Sequence, residues 1–218
     1  MASAPEASRA WLLIEHPGPW PHEPSDAVLP GSLRDVVSEA AERGIRLQLI
    51  RRPGSRGAGD GVWAGWTAGS EPWLRRGSWS GGLDGLDLEG LAGGRPVSFG
   101  SAVTEPVFLV CGHAQRNACC ARFGGPLGQA LAARYPGQVF QTTHVGGHRF
   151  AANLVILPHG LYYGPVGLAE ATAAIGAYER GAVTPGRYRG RAGQPRSTQE
   201  AEYEALLRAG SLGIAALA

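Results

Sequence analysis

All three cysteines of this 218-residue chain, Cys111, Cys119 and Cys120, lie in one stretch together with His113, His144 and His148, three of its six histidines. Thiolate sulfur and imidazole nitrogen bind soft or borderline metals, and two of each from separate loops can surround one metal centre. Eight residues separate Cys111 from Cys120, and three separate His144 from His148. On a helix, that i, i+4 spacing would set both imidazoles on one face. Gly146-Gly147 lies between them, however, and each glycine costs ~1 kcal/mol relative to alanine in a helix. The expectation is therefore a tight loop that turns both rings toward a centre at the end of a strand. Cys119 is either an alternative ligand or a small unligated thiol. His113 and His159 read as loop or hydrogen-bonding histidines. Arg116 and Arg149 either offset negative charge at the centre or pair with carboxylates.

The elements that must position these residues follow from periodicity. Val107 to Val110 is a β-branched apolar strand that delivers Cys111 at its end, and Val139 to Thr143 is a second that delivers His144. After a cysteine loop, Pro126 is expected to open a helix burying Leu127, Ala130 and Leu131. Residues 153–157 and 161–163 suggest a hairpin around Pro158-His159-Gly160. Leu168, Ala171, Ile175 and Tyr178 mark a helix stopping at Gly181. The first half runs in the same order. Residues 11–15 read as a buried strand, and Leu33, Val36, Val37, Ala40 and Ala41 as a helix with Ser32 and Asp35 as a capping box. Ile45 to Leu49 alternates as a strand, residues 53–61 are rich in turns, and 62–67 with 72–78 read as a hairpin. A short helix is expected over 84–92, with a connector over 93–105. Residues 1–10 are expected to be loose. The arginine- and glycine-rich stretch 186–196 reads as a solvated linker, and Ser197 to Glu200 as the capping box of a last helix.

Each half thus reads strand, helix, strand, strand, strand, helix. The expected fold class is α/β: a thioredoxin-like unit in the C-terminal half, preceded by a second thioredoxin-like α/β unit. The expected domains are 1–98, 99–185 and a linker with C-terminal helix over 186–218.

Composition bounds the rest. Hydrophobic residues at 44% and charged residues at 17% describe a globular chain, and 34 glycines with 16 prolines imply many turns. The basic residues are all arginine, and their near balance with acids leaves a formal charge of +2, which points to neither nucleic acid nor an anionic membrane. No apolar run has the length of a spanning helix, and the patch over 11–14 is too short for a signal-peptide core. Three cysteines, two of them adjacent, make a poor disulfide framework, so a reducing, cytoplasmic setting is expected.

Taken together, Cys111-x8-Cys120, His144-Val-Gly-Gly-His148-Arg-Phe-Ala-Ala-Asn153 and Leu157-Pro-His-Gly-Leu-Tyr-Tyr-Gly164 resemble the sucrase/ferredoxin-like family. The resemblance reaches the first half through Trp11-Leu-Leu-Ile-Glu-His-Pro-Gly-Pro-Trp20. It implies a thioredoxin-like ferredoxin half in which Cys111, Cys120, His144 and His148 hold a [2Fe-2S] cluster, with Arg116, Arg149, Cys119 and His113 as candidates for surrounding contacts. Neutral imidazoles in place of two thiolates would raise the potential from about −400 mV toward roughly −150 to +300 mV. The function so implied is one-electron transfer, coupled to protonation, between a reductase and an acceptor; the chain is then a carrier rather than an enzyme. Nothing supports sucrase chemistry, since no pair of carboxylates is placed for glycoside hydrolysis. The alternatives are a structural Cys2His2 zinc site and thioredoxin-like thiol chemistry, although Cys-x-x-Cys is absent. Where family members often carry Arg-Asp, this chain has Arg116-Asn117, and many members run longer.

Overall fold

Trp11-Leu-Leu-Ile is apolar on every residue, as a strand covered on both faces must be. In the computed structural model, which describes residues 3–55, 57 and 59–217, it lies in β1 (Ala10–Glu15), buried along its whole length. Helix α1 (Gly31–Glu42) packs Leu33, Val37 and Ala40 inward and returns the chain to β2 (Arg46–Arg51), parallel to β1. On the other side of β1 lies antiparallel β3 (Gly61–Trp66), followed by antiparallel β4 (Trp73–Ser78). Helix α2 (Leu88–Ala92) and edge strand β5 (Ser101–Ala102) complete the first half.

The second half repeats the plan. Strand β6 (Val107–Cys111), helix α3 (Ala118–Arg134) and strand β7 (Val139–Thr142) form a parallel crossover. Strand β8 (Leu154–Leu157) runs antiparallel on the far side of β6, then β9 (Leu161–Tyr163) and helix α4 (Leu168–Glu179) follow. After β10 (Ala182–Val183), strand β11 (Tyr188–Arg191) adds to β9, and helix α5 (Arg196–Ala209) leads to β12 (Leu212–Gly213), which pairs with β10.

The equivalent strands of the two halves, β2 and β7, pair antiparallel through Ile50 opposite Thr142 and Arg51 opposite Gln141. This joins everything into one ten-stranded mixed sheet ordered β11-β9-β8-β6-β7-β2-β1-β3-β4-β5. Only the C-terminal residues of these antiparallel strands overlap, so the loops that follow β1 and β6 meet, with His113 bonded to the Pro21 carbonyl. One hydrophobic cluster crosses the junction, with Trp11, Leu13, Ile50 and Trp63 from the first half against Leu109, Cys111, Cys120 and Phe140 from the second. No helix among the described residues is long and apolar enough to cross a membrane.

Several local expectations differ from the structure. Helix α3 begins at Ala118, so Pro126 lies inside it and Cys119 and Cys120 sit in its first turn rather than on a loop. The signal overlooked is Asn117, whose side chain accepts the Cys119 N–H at 2.9 Å and caps the helix. Neither expected capping box forms: α1 starts after Pro30 and α5 after Pro195, with no side-chain cap at either. Residues 188–191 are a buried strand, not a solvated linker, because Arg191 pairs with Glu202 at 2.5 Å and Tyr188 donates to the same carboxylate. Within the stretch expected to be loose, Ala4 is buried and bonded to Gln199, while residues 1 and 2 lie outside the described residues. So do Arg56 and Ala58 of the turn-rich segment.

Candidate metal centre

Strands β6 and β7 are parallel neighbours, so their C-terminal ends finish side by side, with Cys111 opposite Thr142 and His144 two residues further on. Helix α3 starts above the same edge. Gly124 permits its close approach, since a Cβ there would lie 1.9 Å from the Cys111 carbonyl oxygen. The result is a convergence of three donor atoms: His144 Nδ1 is 3.8 Å from Cys111 Sγ and 3.7 Å from Cys120 Sγ. All three ligand atoms lie within 4.8 Å of one another, and both cysteines are fully buried.

His148 stands beside this group, at the start of a short 3-10 turn over His148–Phe150. Its ring centroid is 6.2 Å from that of His144, and the residue is exposed. Gly146 and Gly147 have φ of 95° and 69°, the left-handed region that glycine enters at no steric cost. The glycine pair therefore makes a tight loop, but of the two imidazoles expected to face one centre only His144 joins the thiols, while His148 stays exposed and outside the donor group.

Proximity sets the electrostatics of the thiols. Hydrogen bonding from Cys120 outweighs burial and, with help from His144 and the backbone at Val145 and His113, holds the Cys111 thiol well below its usual range. The same contact and burial push the Cys120 thiol up. The contact therefore favours the thiolate on Cys111 over one on Cys120, and the thiolate is the form in which sulfur binds a metal.

The remaining sequence candidates are distributed around this group. His113 is buried and bridges two backbone groups: Nε2 donates to the Pro21 carbonyl at 2.7 Å, and Nδ1 accepts the His144 N–H at 3.1 Å. A carbonyl only accepts and an N–H only donates, so these partners fix the neutral tautomer. Burial lowers its pKa in the same sense. Cys119 is exposed and lies outside the donor group. Arg116 is exposed and reaches away to Glu23 and to His22, the latter at 3.0 Å. Arg149 lies over its neighbour Phe150 at 4.9 Å. His159 bonds Tyr178 at 2.6 Å in a separate part of the core.

Sequence reasoning missed the residues that hold the His144 segment from the first half. Arg46 and Gln48 of β2 donate to the His144 carbonyl at 3.3 and 3.4 Å, and Gln48 accepts from the hydroxyls of Thr142 and Thr143. Nothing local in residues 46–48 signals this role, which exists only through the pairing of β2 with β7. The loop after β1 contributes likewise: Trp20 meets His113 edge-on at 6.0 Å and is covered by Arg51. His22, Glu23, Arg46, His113, Arg116 and His144 together line a cleft of about 220 Å³.

The mixed α/β sheet thus brings Cys111 and His144, at the ends of adjacent parallel strands, together with Cys120 from the first turn of α3 in a group that could hold a soft metal. The chain belongs to the sucrase/ferredoxin-like family, whose model matches residues 33–190 and so includes all four cysteine and histidine candidates. It is also similar to the altered inheritance of mitochondria protein 32 of Eremothecium gossypii, 28% identical over 116 residues. That match covers 46% of this chain and 37% of the relative, so it spans well under half of that protein. No solved structure gives a significant match.

Proposed function

We propose that this chain is a one-electron carrier holding a [2Fe-2S] cluster through Cys111, Cys120, His144 and His148. The observation that carries the reading is the convergence of Cys111 Sγ, Cys120 Sγ and His144 Nδ1, with the His148 ring alongside. The donor set fits such a group: two thiolates and two neutral imidazoles are the mixed ligation of high-potential two-iron centres. When bound, the cluster supplies the one-electron couple. The protein's part is to deliver two buried thiols, with Cys111 the more readily ionised, and to fix His144 through its backbone contacts with His113, Arg46 and Gln48. His144 turns Nδ1 toward both sulfurs, which leaves Nε2 to hold a proton. Above the pH at which the oxidised centre loses that Nε2 proton, electron gain is coupled to its return, and the potential falls as pH rises. A potential that stays flat from about pH 6 to about pH 10 contradicts that part of the reading.

The repeated strand order supports two thioredoxin-like units, over about the expected 1–98 and 99–185 but with β5 at 101–102 still paired to the first, and a C-terminal extension over 186–218; the free thiols support a reducing, cytoplasmic setting. The partners on this reading are a reductase and an electron acceptor.

One observation favours a second reading, a structural zinc ion. The donor separations of 3.7 and 3.8 Å approach the edge of a tetrahedron with metal–ligand bonds of roughly 2.0 to 2.3 Å. Substitution separates the two. His144→Cys or His148→Cys should keep a coloured cluster and lower its potential, because a thiolate adds negative charge. A colourless variant with one zinc, like a colourless wild type, favours the zinc reading.

A further inference from the structure

The most unusual charge in the molecule is Arg189, on β11. It is 3% exposed, yet among the described residues no carboxylate lies within ion-pair distance. Arg191, two residues on and equally buried, is neutralised by Glu202. Burying an unpaired guanidinium is costly, so its surroundings must compensate. Its partners are all neutral: the Ser3 carbonyl at 2.8 Å, the Ser3 hydroxyl at 3.0 Å, Asn153 Oδ1, and the faces of Phe150 and Tyr162 at 4.5 and 5.7 Å.

These partners lead to the metal centre by short routes. Asn153 is fully buried and ties both ligand-bearing segments together. Its backbone carbonyl accepts the Cys111 N–H at 3.1 Å, and its side-chain nitrogen donates to the Gly147 carbonyl at 3.1 Å. Arg189 occupies the remaining oxygen and so fixes which way the amide points. Gly147 is pressed against the guanidinium, since a Cβ there would lie 2.3 Å from Arg189 Nη2. Tyr162, under the same guanidinium, donates to the Val145 carbonyl at 3.2 Å.

We propose that Arg189 is the positioning residue and buried counter-charge of the centre: through Asn153 it sets the His144–His148 loop, and its unpaired cation favours the more negative redox state. This rests on the iron–sulfur reading for the second part alone. Gain of one electron from an external single-electron donor adds one negative charge behind which Arg189 already sits; no bond is made or broken in this chain.

The test compares wild type, Arg189→Lys and Arg189→Gln. With cluster bound, as shown by iron and sulfide content, Arg189→Gln should shift the redox equilibrium toward the oxidised state by about tenfold, which is about 59 mV for one electron. Arg189→Lys should keep a potential near that of wild type. Equal potentials in wild type and Arg189→Gln overturn the counter-charge role. The positioning role is read in metal-free protein by amide hydrogen exchange at Phe150 and Ala151, whose N–H groups bond the Gly147 and His148 carbonyls. Exchange there should quicken about tenfold more in Arg189→Gln than in Arg189→Lys. Equal protection in all three proteins overturns it, whether or not the wild type binds iron. If Arg189→Gln does not fold, Asn153→Asp, which removes the Gly147 contact and keeps the arginine, should show the same local loss of protection; unchanged protection there overturns it too.

Discussion

Cys119 and Cys120 are neighbours in sequence, but successive side chains on a helix point about 100° apart. The first turn of α3 therefore sends one thiol to solvent and the other to the buried group with Cys111 and His144. Cys120→Ala should reduce metal content at least tenfold, and Cys119→Ala should leave it unchanged, as measured by elemental analysis of purified protein. The reverse pattern would assign the wrong cysteine. The pool of candidate donors was legible in the sequence from residue type, because chemistry restricts which side chains bind soft metals, whereas the choice of Cys120 over Cys119 came from the family resemblance. The surrounding shell was less so. His113 turned out to hold the His144 backbone, whereas Arg116 and Arg149 face other partners.

At the scale of elements, the centre depends on where α3 starts. Strand ends at Cys111 and Thr142 were readable from apolar, β-branched runs, and the hairpins and the stop at Gly181 likewise. The helix start was not, because Pro126 is a strong start signal while Asn117 is a brief one followed by two cysteines. Asn117 also accounts for the departure from the family's Arg-Asp: either side chain offers the oxygen that accepts the Cys119 N–H. Asn117→Ala should cost about 1 kcal/mol of stability in denaturant titration, and Asn117→Asp should cost little. Because Cys120 lies in the capped turn, the alanine variant should also bind metal more weakly. An Asn117→Ala protein as stable as wild type would show that the cap contributes nothing.

Taken as a whole, the molecule is organised by the β2–β7 junction. The repeated order of elements was visible in the sequence because each unit is locally patterned. The junction was invisible, since it is a pairing between residues about ninety positions apart and edge pairing leaves no periodic signature. Its consequences are large: Arg46, Gln48 and the loop over Trp20 support a donor group whose candidate ligands all come from the other half. A core cluster shared by both halves should make them unfold together. Calorimetry of the metal-free chain should give one transition with equal calorimetric and van't Hoff enthalpies. Two separated transitions would show that the halves are independent.

Whether the thiols and imidazoles at this strand edge hold an iron–sulfur cluster is decided by metal and sulfide analysis of anaerobically purified protein. The protein should be red-brown, with iron and acid-labile sulfide in equal amounts, about two of each per chain. A colourless protein carrying one zinc ion and no sulfide would contradict it.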